Sequence, residues 1–186
     1  MFRYSLAVAA LALATPAAAQ SLPENFQTGP VFTDFGPHAP VAGLERFPLP
    51  TEFRHSFDVA TRADAGTRNR GFESAARFIN MHVAAGVDAG RIDTVVVVHG
   101  SAVLDLLTDD ALAARPRAEG VEAPVNGSAA MVRTMLDHGV RFVVCGQSAA
   151  AQGVERDDLI EGVEMALSAM TAHALLQQQG YTVNPF

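Results

Sequence analysis

Apolar residues alternate along this chain between the period of a strand and that of a helix. Phe53, His55, Phe57 and Val59 alternate with Arg54, Ser56 and Asp58, the pattern of a strand covered on one face. After a polar loop from Thr61 to Asn69, the residues Phe72, Ala75, Ala76, Ile79 and Val83 recur at helical spacing between Gly71 and Ala85, and Gly86 ends the run. Thr94 to Val98 reads as a central parallel strand covered on both faces. His99-Gly100-Ser101 follows, then a helix begins over Ala102 to Leu107. Thr108 to Pro124 is polar, interrupted by Pro116 and Gly120, and reads as a surface excursion able to act as a lid. Asn126 is placed as the N-cap of a helix running through Met131, Met135 and Leu136 to Gly139.

Phe142, Val143 and Val144 form a second buried strand ending at Cys145, where Gly146 breaks the run. Gln147 to Gln152 reads as a short helix stopped by Gly153. A turn over Asp157 to Glu161, a short strand over Val163 to Leu167, a helix over Ser168 to Gln179 and a last strand over Tyr181 to Asn184 complete the series. Strands and helices alternating in this way predict an α/β fold, with a doubly wound parallel sheet of five strands and right-handed crossovers, in one domain over 53–186.

Two stretches precede that domain. Met1 to Ala19 has Arg3, an apolar core from Leu6 to Ala14 and a small-residue Ala17-Ala18-Ala19 site, so it reads as a signal peptide, and the expected location is the periplasm. Its apolar core is too short to span a bilayer, and the mature chain is not expected to associate with a membrane. Gln20 to Glu52 carries six prolines, which exclude regular helix or sheet, but also Phe26, Val31, Phe32, Phe35, Leu44 and Phe47. It reads as an extended arm packed over the domain or over a neighbouring subunit.

The formal net charge is −7, or −8 once Arg3 is removed. The chain has no lysine, and its arginines are scattered among acids, which argues against a nucleic-acid partner. It has one cysteine, hence no C-x-x-C pair and no internal disulfide. A phosphate-binding glycine loop and a G-x-G-x-x-G fingerprint are also missing, and the six histidines show no metal-ligand spacing, so no cofactor or metal is expected.

Cys145 and His99 stand in matching places, each at the carboxyl end of a strand and followed by glycine and small residues. Open α/β sheets hold ligands at that edge. Helix-start N–H groups there favour a thiolate, so Cys145 is a candidate nucleophile and His99 a candidate proton-handling neighbour. Gly100, Ser101, Asn126, Gly146, Gln147 and Ser148 are candidate ligand-binding positions around them. Cys145 as inert packing and His99 as a structural, hydrogen-bonded residue remain open, and His82 is given no role.

The segment Phe142-Val-Val-Cys145, with Ala149-Ala-Ala-Gln-Gly-Val154 and Asp157-Asp158, resembles the cysteine segment of DsrE/TusD sulfur-relay proteins. His99-Gly100 and Gly180-Tyr181 are similar to an exported branch of DsrE-like proteins, and the likeness runs from Glu52 to Phe186. The resemblance implies a flavodoxin-like sheet, a homo-oligomer of trimer or hexamer type, and a persulfide carried on Cys145. It sets the expectation of a sulfurtransferase or sulfur carrier whose partner is a thiol protein or a small sulfane-sulfur compound. The alternative is a non-enzymatic oligomeric ligand-binding or structural module with Cys145 buried.

Overall fold

The computed structural model describes residues 23–43 and 47–184; the segment read as a signal peptide and Leu44 of the arm lie outside them. Five strands form one parallel sheet: β1 (Phe53–Val59), β2 (Ile92–Val98), β3 (Arg141–Cys145), β4 (Glu164–Ala166) and β5 (Thr182–Asn184). Their spatial order is β4-β3-β2-β1-β5. The helices are α1 (Arg70–Ala84), α2 (Asp109–Ala113), α3 (Ala129–Asp137), α4 (Gly146–Ala151) and α5 (Ala169–Gln178). The fold is the expected flavodoxin-like, doubly wound α/β class.

The order of strands decides which helix covers which face. From β1 to β4 the chain steps in one direction, so right-handed crossovers put α1, α3 and α4 on the same side. The return from β4 to β5 runs the other way across the whole sheet and carries α5 to the opposite side. Two apolar clusters record the result. Phe57, Val59, Val96, Val98, Phe142 and Val144 pack with Phe72, Ile79, Met131, Met135 and Ala149 on the first face. Val95, Val97 and Val143 pack with Ala172, Leu176 and Tyr181 on the second. Because β2 is covered on both faces, its valine run is continuous rather than alternating.

α1 starts at Arg70 because the Asn69 side chain accepts the N–H groups of Gly71 and Phe72. Residues of the arm lie against this helix. Phe32 and Phe35 are buried with ring centroids 5.0 Å apart. Asn80, fully buried in α1, accepts the N–H groups of Val31 and Phe32 and donates to the carbonyls of Phe32, Phe35 and Gly36. An amide inside a helical apolar face is thereby satisfied by backbone groups that have no ladder of their own.

Several elements differ in detail from the sequence expectation. Gly100–Leu106 is a 3₁₀ turn rather than the start of a helix, and Asp109–Ala113 within the polar excursion is helical, with the Thr108 side chain accepting the Ala111 N–H. Asn126 is not the cap of α3. The helix begins at Ala129, and Asn126 accepts the Ser128 N–H while donating to the carbonyls of Asp105 and Leu107. Among the described residues, no helix is long and apolar enough to cross a membrane.

Candidate functional site

Adjacent strands whose outgoing helices go to opposite faces leave a crevice between their carboxyl ends. Here those strands are β3 and β4: α4 leaves β3 toward one face, and α5 leaves β4 toward the other. Cys145 is the last residue of β3, so the single thiol sits at that divergence, on the face covered by α5. It is 5 % exposed. Gly146 makes the close turn possible, since a Cβ there would lie 2.8 Å from the Ala166 carbonyl oxygen at the end of β4.

The polar groups around the sulfur come from both helix starts. The Cys145 side chain makes no cap hydrogen bond to α4. Its environment nonetheless favours the thiolate. Burial pushes the thiol's pKa up, but the Ser148 hydroxyl and the amide N–H groups of Ser148, Ala169 and Gln147 outweigh it and leave the pKa below the ordinary thiol value. Ser148 is well placed for this. Its Oγ accepts the Gly100 N–H at 3.1 Å, so its own hydrogen is free to be donated to sulfur. Gln147 bridges the crevice by donating its side-chain amide to the Leu167 carbonyl at 3.2 Å.

His99 follows β2 at the sheet edge where Cys145 ends β3. Val98 is paired with Val144 across β2 and β3, so the following residues, His99 and Cys145, are neighbours on the same face. The His99 backbone is extended and its N–H donates to the Val59 carbonyl, which continues the ladder by one residue. Its Nε2 lies 3.1 Å from Asp58 Oδ2. The other carboxylate oxygen, Oδ1, lies 2.8 Å from Nε2 of His173 on α5. Burial alone would raise the Asp58 pKa; the hydrogen bonds from His99 and His173 and the attraction of those rings hold it below the usual carboxylate range. Asp58, His99 and Cys145 thus occupy the ends of three successive strands, with His173 reaching down from α5.

The other expected positions divide into two groups. Gly100, Gly146, Gln147 and Ser148 are gathered at the crevice, and Gly100 also accepts the Gln152 side-chain amide at 2.6 Å. Ser101 and Asn126 belong elsewhere. Ser101 Oγ donates to the Ala60 carbonyl and accepts the Arg62 N–H, which fixes the loop after β1. The amide of Asn126 is taken up by backbone groups of Asp105, Leu107 and Ser128, in a network that includes buried Asp105 and Asn69. Sequence reasoning missed Asp58 and His173. The only available signal was the polar residue near the carboxyl end of β1, which strand alternation explains equally well.

A cavity of about 630 Å³ opens beside Asp58, lined by the loop after β1 and including Arg62, Arg68 and Asn69; Cys145 and His99 are not part of its wall. Among the described residues, no group of three or more His, Cys, Asp or Glu is arranged to hold a metal ion.

Solved structures include distant likenesses to this chain. One structural relative is a protein of unknown function, MTH1491, from Methanobacterium thermoautotrophicum, at 21 % identity and a TM-score of 0.48, covering 73 % of this chain and all of that one. Another is the ychN protein from E. coli, at 18 % identity and a TM-score of 0.43, covering 72 % of this chain and all of that one. No curated protein matches. The sequence itself matches the DsrE/DsrF-like family over residues 55–185, which takes in the sheet domain apart from the first two residues of β1, and the chain belongs to that family.

Proposed function

We propose that the protein is a sulfane-sulfur carrier or sulfurtransferase that holds a persulfide on Cys145. The observation that carries this reading is the place of the one thiol, at the end of β3 where α4 starts and beside the start of α5 after β4, and the groups around it there hold its pKa below the ordinary thiol value. With thiosulfate as donor, the Cys145 thiolate attacks the sulfane sulfur, the bond to the sulfonate sulfur breaks, and sulfite leaves with the electron pair. The product, Cys145–S–S⁻, then gives its outer sulfur to an external thiolate and regenerates the Cys145 thiolate. No second cysteine exists in the chain, so the acceptor thiol comes from another molecule.

The same reading places the protein in the periplasm, on the strength of residues 1–19, and as a homo-oligomer. Leu167 and Met170, 72 % and 80 % exposed beside the crevice, are the apolar surface on which copies pack. Amino-terminal sequencing of the exported protein and light scattering of the purified protein check these two points.

The decisive experiment is intact-mass measurement after incubation with thiosulfate or polysulfide. A reductant-sensitive gain of about 32 Da per sulfur, absent from Cys145→Ser, is expected. The low exposure of Cys145 favours a second reading, in which the crevice binds a small ligand and the thiol is inert. A mass that does not change, with a thiol that resists alkylation until the protein unfolds, would select that reading instead.

A further inference from the structure

Asp58 accepts from two imidazoles at once, and that arrangement makes the two rings unequal. An ionised carboxylate is an acceptor only, so the ring nitrogens facing it, Nε2 of His99 and Nε2 of His173, both carry hydrogen. In neutral rings each Nδ1 then bears a lone pair. Nδ1 of His173 is buried and has no hydrogen-bond partner among the described residues. Protonating it would create a buried N–H with no acceptor, which is much costlier than a bare lone pair. His99 carries no such penalty: its side chain is 32 % exposed, against 16 % for His173. A proton arriving at this cluster therefore goes to His99.

Resting on the persulfide reading above, we propose that Asp58 and His173 are positioning residues that hold His99 as the acceptor of the Cys145 proton. The titratable groups around His99 are Asp58 from β1, His173 from α5 and Cys145 from β3; Gln147 and Ser148 of α4 are neutral. In the activation step the Cys145 S–H bond breaks, its proton passes to Nδ1 of His99, and the pair becomes a thiolate and an imidazolium. The Nε2–H of His99 stays on Asp58 throughout. His173 occupies the second carboxylate oxygen, so that Asp58 cannot turn away from His99. No hydrogen bond joins His99 and Cys145 in the resting structure, and such contacts commonly tighten only when substrate arrives.

The test combines two readouts on the full mature protein. Alkylation of Cys145 by iodoacetamide, followed by intact mass between pH 5 and 9, gives the thiolate profile. In Asp58→Asn the amide must offer its NH₂ to one ring and reverses that ring's tautomer. The profile should move to higher pH, with a rate at pH 7 lower by about three- to tenfold. His99→Gln should move it in the same direction, and the double variant should lose no more than either single one. Asp58→Glu should restore most of the wild-type profile, and His173→Phe should give a smaller shift of the same sign. Long-range ¹H–¹⁵N spectra of the wild type supply a readout independent of any variant's folding: His173 should stay the neutral Nε2–H tautomer while His99 takes up a proton.

Titration of His173 before His99, an Asp58→Asn profile equal to that of the wild type, or losses that multiply in the double variant would overturn the proposal. Sulfur loading is read separately. Loading in the wild type with an unmoved Asp58→Asn profile sinks the proton arrangement and leaves the carrier role standing. No loading, with the profile moved as described, does the reverse.

Discussion

Replacing Ser148 by Ala removes one named group from the sulfur and leaves the two helix starts in place. The hydroxyl accepts from Gly100 N–H and donates toward Cys145, so its loss removes a hydrogen bond to a charged acceptor. Such bonds contribute about 1.5–3 kcal/mol. The lower end applies, since the amide N–H groups of Gln147, Ser148 and Ala169 remain to share the charge. About 1.4 kcal/mol is a tenfold fall in the thiolate fraction on the acid side of the titration. The thiolate that does form is a stronger nucleophile, because nucleophilicity rises with thiol pKa with a slope of about 0.4–0.5. The two effects leave the alkylation rate of Ser148→Ala about three- to fourfold below wild type near neutral pH. At a pH where both thiols are fully ionised the variant should be faster by about threefold. The two pH–rate curves must cross. Iodoacetamide kinetics followed by intact mass would show the crossing, and a fall by one constant factor at every pH would refute the reasoning, because that result belongs to lost access and not to a lost hydrogen bond.

Three further expectations can be checked on the same material. In Gly146→Ala the new methyl meets the Ala166 carbonyl oxygen at 2.8 Å, so backbone must move at the crevice; a loss of about 1–3 kcal/mol in urea unfolding and an altered Cys145 alkylation rate are expected. Asn80→Ala leaves four backbone groups of the arm without partners, the N–H groups of Val31 and Phe32 and the carbonyls of Phe35 and Gly36, while the Phe32 carbonyl keeps the Gly29 N–H; a loss of about 3–5 kcal/mol is expected in the same assay, with earlier proteolysis around residues 31–36. Burial raises the Asp105 pKa despite the Asn69, Ala63 and Arg62 contacts, so the folded chain holds that proton more tightly than the unfolded one. This group's contribution to stability should therefore be greatest at low pH and decline as pH rises above about 4; Asp105→Asn should remove that decline in pH-dependent melting, and an unchanged pH dependence would contradict it.

The parts of this structure that the sequence made legible are those written in local periods. The valine run of β2 and the Phe-Val-Val run before Cys145 are continuous because both faces are covered, and their ends mark the edge where ligands sit. The single cysteine could be placed at that edge for the same reason. Lengths and caps were less legible. β4 is only three residues long, the chain from Gly100 to Leu106 tightens into a 3₁₀ turn, and Ser128 spends its hydroxyl on the Asn69 N–H, so Asn126 closes a loop instead of capping α3. In each case a tertiary partner overrides the local preference.

Asp58 and His173 were hidden for a stronger reason. They are 115 residues apart, and nothing local to either announces the other. Asp58 reads as the solvent side of an alternating strand, and His173 as one polar residue on an alanine-rich helix. They meet because β5 lies beyond β1: the chain must cross the whole sheet after β4, and the only right-handed path lays α5 over the face on which Asp58, His99 and Cys145 stand. The same crossover makes β3 and β4 send their helices to opposite faces, which is what brings the Ala169 N–H to the sulfur. One topological step therefore supplies both the crevice that favours the thiolate and the carboxylate–imidazole row beside it. A substitution that shifts α5 along the sheet, such as Ala172→Leu against Val95, Val97 and Val143, should raise the pH needed to alkylate Cys145 and uncouple His173 from Asp58 together. If only one of the two responds, the thiol environment and the Asp58 cluster are separate features of the fold.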